Sequence, residues 1–351
     1  MRASQWNTLV RIVRGERVEH TPVALIVDSP WIPPFLEMST VDYIAVPDLW
    51  LQANLAVARR FPDVIFLPGF WVEPGMASEP SGFGCRISFS EGQPPSVHAI
   101  ASDISEIDGL EAPNPLHDGL MPLVIAQYRH AASRVRAEGM DIRMVAARGP
   151  LAVASHLLGL TGFLMGLKTD PARTHRLLKV TTRLAKDWLT AQAEALPGVE
   201  GIMVLDDVMG FLSKEDYLEF AHPYMQDLFS IPAAVKILHN DTDSPVCYPF
   251  IRDIGAHVFN FTHLKSISSV RTLVGDTVCL MGNVAPLEVL AQGSPASVAG
   301  AARRCLEENA GHPSFLLSAG GGTSPGTPAA NIDALVGAAA AARAAGSAKT
   351  P

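Results

Sequence analysis

Cysteine is scarce in this chain of 351 residues, and its four cysteines lie far apart. Cys85, Cys247, Cys279 and Cys305 form no C-x-x-C pair, so the sequence indicates neither a disulfide framework nor a structural zinc knuckle. Positive charge is also in deficit, with 27 Lys and Arg against 35 Asp and Glu and a formal net charge of -8. The clustered basic face of nucleic-acid binders is therefore not expected.

Long apolar runs are missing as well. No stretch reaches the ~18 consecutive apolar residues of a membrane span, and the N-terminus leads into an amphipathic, charged stretch instead of a secretory signal. Apolar residues make up 48% of the chain and charged residues 18%, which is typical of a well-packed globular enzyme. We therefore predict a cytoplasmic protein that contacts neither membrane nor nucleic acid.

Motifs of three common enzyme classes are absent from the sequence. No G-x-G-x-x-G follows a predicted strand, no P-loop is present, and no G-x-S-x-G elbow offers a serine nucleophile. These absences disfavour a dinucleotide site, P-loop phosphoryl transfer and Ser-His-Asp catalysis.

Short apolar runs alternate with longer segments of helical periodicity, as in parallel strands joined by crossover helices. The strand count suits a closed (β/α)8 barrel. The predicted strands are Thr21–Asp28, Asp63–Phe70, Asp141–Arg148, Gly201–Asp206, Val235–His239, His257–Phe261, Val278–Gly282 and Phe315–Ser318. We predict an α/β fold with a single TIM barrel domain over residues 1–351, and an open doubly wound sheet is the alternative.

The segments between these strands predict helices, with one exception. The predicted helices are Leu151–Leu167, Pro171–Ala195, Lys214–Phe229, Ser268–Val274, Pro295–Asn309 and Ala329–Ala345. The exception is the stretch from Trp71 to His117, which is dense in Gly, Pro and Ser. Within it, Cys85–Phe89 and Ser96–Ala101 flank a turn and predict a β-hairpin inserted after the second strand.

Polar residues end most of the predicted strands, and in barrels the chemistry sits at the C-terminal strand ends. His239 and Asp241 can both project into the mouth, where they can ligate a metal or relay a proton; alternatively His239 is a structural hydrogen-bonding residue and Asp241 caps a helix. Asp206 can act as a general base or cap a helix. His156 is either a site residue or part of the core. Further polar residues end strands at Asp28, Arg148, Asp207, Asn240, Asn260 and Asn283.

Motifs in the last third of the chain resemble the uroporphyrinogen decarboxylase superfamily. They are Gly282-Asn283-Val284-Ala285-Pro286, Gly293-Ser294-Pro295, and the segment 318–328 with the triple glycine Gly320-Gly321-Gly322, followed by Asn331-Ile332. The start of the chain, with Arg14-Gly15-Glu16 and Thr21-Pro22, is also similar. The resemblance covers nearly the whole chain and implies a single (β/α)8 barrel.

Departures from that superfamily narrow the function. Porphyrinogen decarboxylases carry R-Q-A-G-R after the first strand, and its arginines bind the substrate's carboxylates, but this chain has Val27-Asp28-Ser29-Pro30-Trp31. A polyanionic tetrapyrrole would be poorly held, so uroporphyrinogen decarboxylation is the least favoured activity. Methyltransferases that act on thiols bind zinc through H-x-C and a later Cys, whereas here Asp241 and Gly321 replace the two cysteines. The resemblance thus implies no tight zinc–thiolate site, and a weak site at His239 and Asp241 stays open.

The pattern His239-Asn240-Asp241-Thr242, with Phe259-Asn260-Phe261 and the triple glycine, is similar to a branch that includes methylcorrinoid:tetrahydrofolate methyltransferases. The resemblance implies methyl transfer from methylcob(III)alamin, the methylcobalamin of a partner corrinoid protein, to N5 of tetrahydrofolate. It implies a partner because the chain lacks the D-x-H-x-x-G motif of corrinoid-binding domains. His239, Asp241 and Asp206 are the expected catalytic residues. The expected substrate-binding residues are Asn260, Asn283, Asp207, Asn240, His156, Asp28, Gly320 and Gly321.

Two other interpretations stay open. In the first, the chain is a demethylase that moves a methyl group from a quaternary amine, methoxy-aromatic or methyl-sulfur compound to cob(I)alamin, and Trp31, Phe70 and Trp71 form an aromatic cage for a methylated cation. In the second, the chain is a non-catalytic barrel with a decayed site. The polar residues at most strand ends speak against the second.

Overall fold

Eight parallel strands form one sheet in the described part of the chain, residues 1–27, 29–309 and 312–347 of a computed structural model. Side chains are described up to residue 342. The parallel strands are β1 Val23–Ile26, β2 Val64–Leu67, β5 Met144–Arg148, β6 Gly201–Leu205, β7 Val235–Asn240, β8 Val258–Phe261, β9 Cys279–Val284 and β10 Phe315–Ala319. Each predicted strand is therefore confirmed.

The order of the strands shows that the sheet curls into a nearly closed barrel. It runs β2-β1-β10-β9-β8-β7-β6-β5, and the first strand pairs with the last through Val23 opposite Leu317. A doubly wound sheet has no such pairing, so that alternative is wrong. At the seam between β2 and β5, the Gln5 amide donates to Val64 O at 2.9 Å and Asp141 N donates to Met1 O at 2.9 Å.

A separate antiparallel hairpin confirms the predicted insertion after β2. Its strands are β3 Arg86–Ser90 and β4 Gln93–His98, with Ile87 opposite Val97. It lies between β2 and β5 in the chain, on the side where the parallel strands end.

Helices surround the barrel. They are α1 Ala3–Val13, α2 Ile32–Phe35, α3 Thr40–Ala45, α4 Pro47–Arg60, α5 Ser78–Gly82, α6 Met121–Ala137, α7 Pro150–Thr169, α8 Pro171–Ala195, α9 Lys214–Asp216, α10 His222–Leu228, α11 Ile267–Val274, α12 Pro295–Glu308 and α13 Ala329–Ser347. Proline starts α4, α7, α8 and α12, where its missing N–H costs nothing because the first helical turn has no internal acceptor for it. The predicted helices are present, but α4 and α6 are not among them.

The predicted helix Lys214–Phe229 is interrupted. A π-helical turn, Tyr217–Ala221, separates α9 from α10. Pro223 has no N–H to offer the Glu219 carbonyl, so the regular i to i−4 pattern is not maintained past this point.

Helix α7 is long and apolar enough to cross a membrane by length and composition alone. More than half of its apolar stretch is buried inside the protein, and it packs against α8. Gly159 interrupts its helical geometry with a φ of 71°. These contacts are those of a core helix of the barrel wall.

Two apolar cores follow from the alternation of side chains along the strands. Residues such as Met203, Ile237 and Met281 fill the barrel interior, and Trp6, Leu9 and Ile12 of α1 close its N-terminal end. The intervening strand residues pack outward against the helices. Because the N-terminal end is filled, the polar residues of the interior lie at the opposite end, the mouth.

Candidate active site at the mouth of the barrel

His239 and Asn260 form the polar floor of the mouth. They continue the inward-facing rows of β7 and β8, directly after the buried Ile237 and Val258. Asn260 is fully buried and His239 is 7% exposed. Both stand as predicted at the C-terminal ends of neighbouring strands, with His239 opposite Asn260 in the register.

The orientation of the Asn260 amide fixes the hydrogen-bonding state of His239. Its Nδ2 donates to Met281 O at 2.9 Å and to Ala319 O at 3.1 Å, so the atom that faces the imidazole is the carbonyl oxygen. His239 Nδ1 lies 2.7 Å from that oxygen and is therefore the protonated nitrogen. In the neutral ring, Nε2 then carries a lone pair that can accept a proton or ligate a metal.

Two carboxylates lie beside this Nε2. Asp207 Oδ1 is 3.7 Å away and Asp241 Oδ2 is 4.0 Å away. Burial raises the pKa of Asp241, and the nearby charge of Asp207 raises it further, while the charge of His239 opposes the shift. The three side chains can place ligand atoms within 4.8 Å of one another, so a divalent ion is one ligand that they suit.

The donor set differs from a thiolate zinc site. It consists of one imidazole and two carboxylates. All four cysteines are buried elsewhere, and the Cys305 thiol donates a hydrogen bond to Asn283 Oδ1. A thiolate-bound zinc therefore does not fit here, whereas a divalent ion that accepts nitrogen and oxygen does. Asp207, His239 and Asp241 are the residues that would hold it.

Gly320 and Gly321 let the last loop approach this cluster. A Cβ on Gly320 would collide with His263 N, and a Cβ on Gly321 would lie 2.5 Å from Asp241 Oδ2. Gly321 also has a φ of +139°, which side-chain-bearing residues rarely adopt. Nothing lies within 4 Å of a Cβ on Gly322. The first two glycines thus pack the loop onto the site, and Gly322 leaves open space.

Asp206 lies outside this cluster, although it is next to Asp207. It is fully buried between the barrel and α7, where one carboxylate oxygen accepts from Leu151 N at 2.9 Å and Ala152 N at 3.3 Å. Its other oxygen has no hydrogen-bond partner among the described residues. Burial raises the pKa of Asp206 to about 7. These contacts cap the start of α7, and a catalytic role for Asp206 stays a prediction.

Asn240 and Asn283 are also engaged by the backbone. Asn240 donates to Asp206 O at 2.9 Å and accepts from Thr242, which shapes the loop after β7. Asn283 donates to Lys265 O at 2.6 Å, toward the loop after β8. Their side chains hold the loops that carry the site, and substrate contacts for them remain predictions. Asp28 lies outside the described residues.

The opposite side of the mouth carries an ion pair that the sequence did not predict. Arg148, at the end of β5, donates to Glu73 at 2.6 Å, and both side chains are less than a tenth exposed. Glu79 accepts from Arg148 N at 2.7 Å, and burial raises the pKa of Glu79. Burial and the charge of Arg148 lower the pKa of half-buried His156 to about 4, so its ring is neutral at pH 7.

The suggested aromatic cage is not formed. Trp31 is fully buried and stacks on Phe35, with 4.6 Å between ring centroids, while its indole donates to Thr327 O. Arg148 already lies over the Trp71 ring at 5.4 Å. Trp31 and Trp71 are therefore occupied by protein groups, and Phe70 is only 6% exposed.

Comparisons with known proteins place this architecture in a family. The family model described as Uroporphyrinogen decarboxylase (URO-D) matches residues 5–342. The chain is 26% identical to a uroporphyrinogen decarboxylase of Aromatoleum aromaticum, in an alignment of 357 positions that covers 95% of each chain. It is 27% identical to an enzyme of the same name from Thermus thermophilus, over 73% of this chain and 74% of the relative.

A solved structure shares the fold over nearly the whole length. A methyltransferase from Methanosarcina mazei superposes with a TM-score of 0.79 at 22% identity, over 96% of this chain and 98% of the other. The fold agreement and the family match cover the same barrel. The chain belongs to the Uroporphyrinogen decarboxylase (URO-D) family.

Proposed function

We propose that this protein transfers a methyl group from methylcob(III)alamin, presented by a corrinoid protein, to N5 of tetrahydrofolate at the mouth of the barrel. The observation that carries the proposal is the His239 imidazole, whose Nδ1 is held by Asn260 and whose Nε2 faces two carboxylates. This arrangement is a proton acceptor, which alkylation of a secondary amine requires.

The proton balance explains why such a group is needed. N5 of tetrahydrofolate carries one hydrogen and a lone pair, and the lone pair forms the new N–CH3 bond. The docked corrinoid supplies an electrophilic methyl group and retains the electron pair of the Co–C bond. N5 then holds an excess proton, which His239 accepts at Nε2. The resulting imidazolium is stabilised by Asp207 and Asp241 and remains bonded to Asn260.

The charge of the mouth disfavours decarboxylation of a polycarboxylated porphyrinogen. Asp207 and Asp241 place acidic groups beside His239, and like charges repel a polyanion. Arg148 is already neutralised by Glu73. The sequence lacks the arginines of the decarboxylase motif after β1, so the mouth is better suited to an uncharged amine acceptor than to a polyanion.

A second candidate is the demethylase, which one observation favours. Asp207, His239 and Asp241 can hold a divalent ion, and a Lewis acid would polarise the heteroatom of an otherwise unreactive methyl donor. In this case a chelator abolishes turnover, and added zinc or manganese restores it. Transfer to tetrahydrofolate, in contrast, proceeds after chelation because N5 is already nucleophilic.

The test is anaerobic incubation of the purified protein with methylcobalamin and tetrahydrofolate, followed by visible spectroscopy of the corrin. We expect protein-dependent loss of the methylcobalamin spectrum with tetrahydrofolate and not with a thiol acceptor. In a second arm of the experiment, a corrinoid protein replaces free methylcobalamin as the methyl donor. His239→Gln lowers the rate by about 10²-fold or more because the proton acceptor is lost. Asp187→Asn, on the exposed face of α8, is the control and retains the wild-type rate. Demethylation that is equally fast in His239→Gln contradicts the assigned role.

A further inference from the structure

A second cavity adjoins the mouth, on the other side of the Glu73 side chain. Its volume is about 490 Å³, which lies in the range of sites for small ligands. It is bounded by α3, α4 and α6, by the loop after β2 and by the hairpin. Its walls are mainly apolar, with Trp50, Val72, Phe89 and Val124 among the lining residues.

Helix α6 presents one face to this cavity. Leu123, Ala126, Gln127 and His130 are spaced at i, i+3, i+4 and i+7, and all four line it. Leu123 is 65% exposed and Ala126 is exposed, so the cavity opens to solvent along this helix.

The other polar groups of the wall have protein partners. The Trp50 indole donates to Trp71 O at 3.1 Å, and Asn54 donates to the Tyr43 hydroxyl at 3.0 Å. Glu73 is neutralised by Arg148, and His130 lies 2.7 Å from Asp48. Since these charges are balanced within the protein, the cavity suits an uncharged ligand segment.

Gln127 is the exception among the polar lining residues. It is 9% exposed, and its Nε2 has no hydrogen-bond partner among the described residues. A buried amide nitrogen without a partner is costly. This nitrogen has almost no accessible surface, so the amide must turn over to present it to a ligand in the cavity. Because a glutamine amide can rotate by 180°, it matches a ligand group that both donates and accepts, such as another amide.

We infer that this cavity binds the aminobenzoyl arm of tetrahydrofolate, while the pterin lies in the mouth. The inference rests on the proposed function. The arm is an uncharged aromatic ring bearing a secondary amide: the ring fits the apolar walls, and the amide pairs with Gln127. Glu73 belongs both to the cavity wall and to the Arg148 pair at the mouth, so the two spaces are neighbours. The glutamate end of the folate stays at the open side, in water.

The probe is 4-aminobenzoyl-L-glutamate, which lacks the pterin, titrated calorimetrically into the full chain. Ala126→Trp fills the cavity from its exposed side and weakens binding at least ~10-fold, as expected for loss of the apolar contacts of the ring. Gln127→Leu weakens it by about fivefold through the lost hydrogen bond. Ala137→Trp is the matched control, since Ala137 is exposed at the end of the same helix and does not line the cavity.

Turnover gives an independent readout. In Ala126→Trp the KM for tetrahydrofolate rises while kcat stays within about twofold, because uniform binding is lost and the chemistry is untouched. Equal probe affinity in wild type and Ala126→Trp, with circular dichroism showing both folded, overturns the inference. Probe binding that depends on Ala126 and Gln127, without any methyl transfer, supports the cavity and refutes the proposed function. Methyl transfer with a KM that is insensitive to Ala126→Trp refutes the cavity alone.

Discussion

Asn260 hydrogen-bonds three groups at the mouth, and the loss of stability on replacing it by leucine follows from those bonds. The substitution keeps the volume but removes hydrogen bonds to His239 Nδ1, Met281 O and Ala319 O. Leaving buried partners unpaired costs about 1–3 kcal/mol each, so we expect Asn260→Leu to lower the free energy of unfolding by roughly 3–5 kcal/mol. Without the Asn260 acceptor, His239 is also free to take the other tautomer, and kcat for methyl transfer falls by about 10²-fold or more.

A matched control separates the two effects. Asn331 lies in α13, in the helix layer around the barrel, and is 1% exposed. It donates to Leu290 O and Gly293 O, both at 2.8 Å. Asn331→Leu should cost roughly 2–3 kcal/mol and leave kcat unchanged. Urea unfolding followed by circular dichroism gives the stabilities, and initial rates with methylcobalamin give kcat. If Asn260→Leu costs no more than the control, or keeps the wild-type kcat, the assigned network is wrong.

Three further predictions concern groups around the mouth. The pKa of Asp206 is raised from the ordinary 3.8 to about 7, so the folded state binds a proton more tightly than the unfolded state. Between pH 4 and 7 the free energy of unfolding of the wild type, measured with urea, should therefore fall by roughly 3–4 kcal/mol relative to that of Asp206→Asn. The same pH dependence in both proteins refutes this. The Cβ of Gly321→Ala would contact Asp241 at a backbone φ that side chains rarely adopt, so this variant should lose more than ~1 kcal/mol of stability and transfer methyl more slowly. Gly322→Ala is the control and should keep the wild-type stability, because nothing lies within 4 Å of its Cβ. Equal melting temperatures in the two variants contradict the packing argument. Glu73→Gln leaves Arg148 buried without its counter-charge and should lower the free energy of unfolding by roughly 3–5 kcal/mol. The double variant with Arg148→Met should recover most of that stability. If the losses of the two single variants simply add in the double variant, the two residues are not a coupled pair.

The barrel was predictable because its strands are short apolar runs between polar segments. Runs such as Val23–Ile26 and Gly201–Leu205 are buried on both faces, so they stand out from their surroundings without any knowledge of their neighbours. Helices α4 and α6 are less distinct in sequence. Each helix lines the second cavity as well as the core, so apolar and polar residues are mixed around the helix and a single apolar face does not stand out.

The site was predictable only in part, because a polar residue at a strand end can face either way. Side chains alternate along a strand, so His239 faces the mouth while its neighbour Asn240 faces the helix layer. Asp206, Asp207 and Asp241 lie just beyond the strand ends, where the loop conformation decides which way each side chain points. The alternation is readable in sequence once the inward row is known. Asn283 is an exception, since its amide is bound by the loop after β8. The Arg148–Glu73 pair joins residues 75 positions apart, which no local pattern reveals.

The measurement that tests the central claim most directly is carbon-13 NMR of the reaction with methylcobalamin labelled at the methyl carbon. The protein and tetrahydrofolate are mixed anaerobically with this donor, and the wild type is compared with His239→Gln. We predict a protein-dependent resonance of N5-methyltetrahydrofolate in the wild type and little of it in the variant. A label that stays on cobalt with the corrinoid partner also present, or that reaches tetrahydrofolate equally fast without His239, contradicts the account.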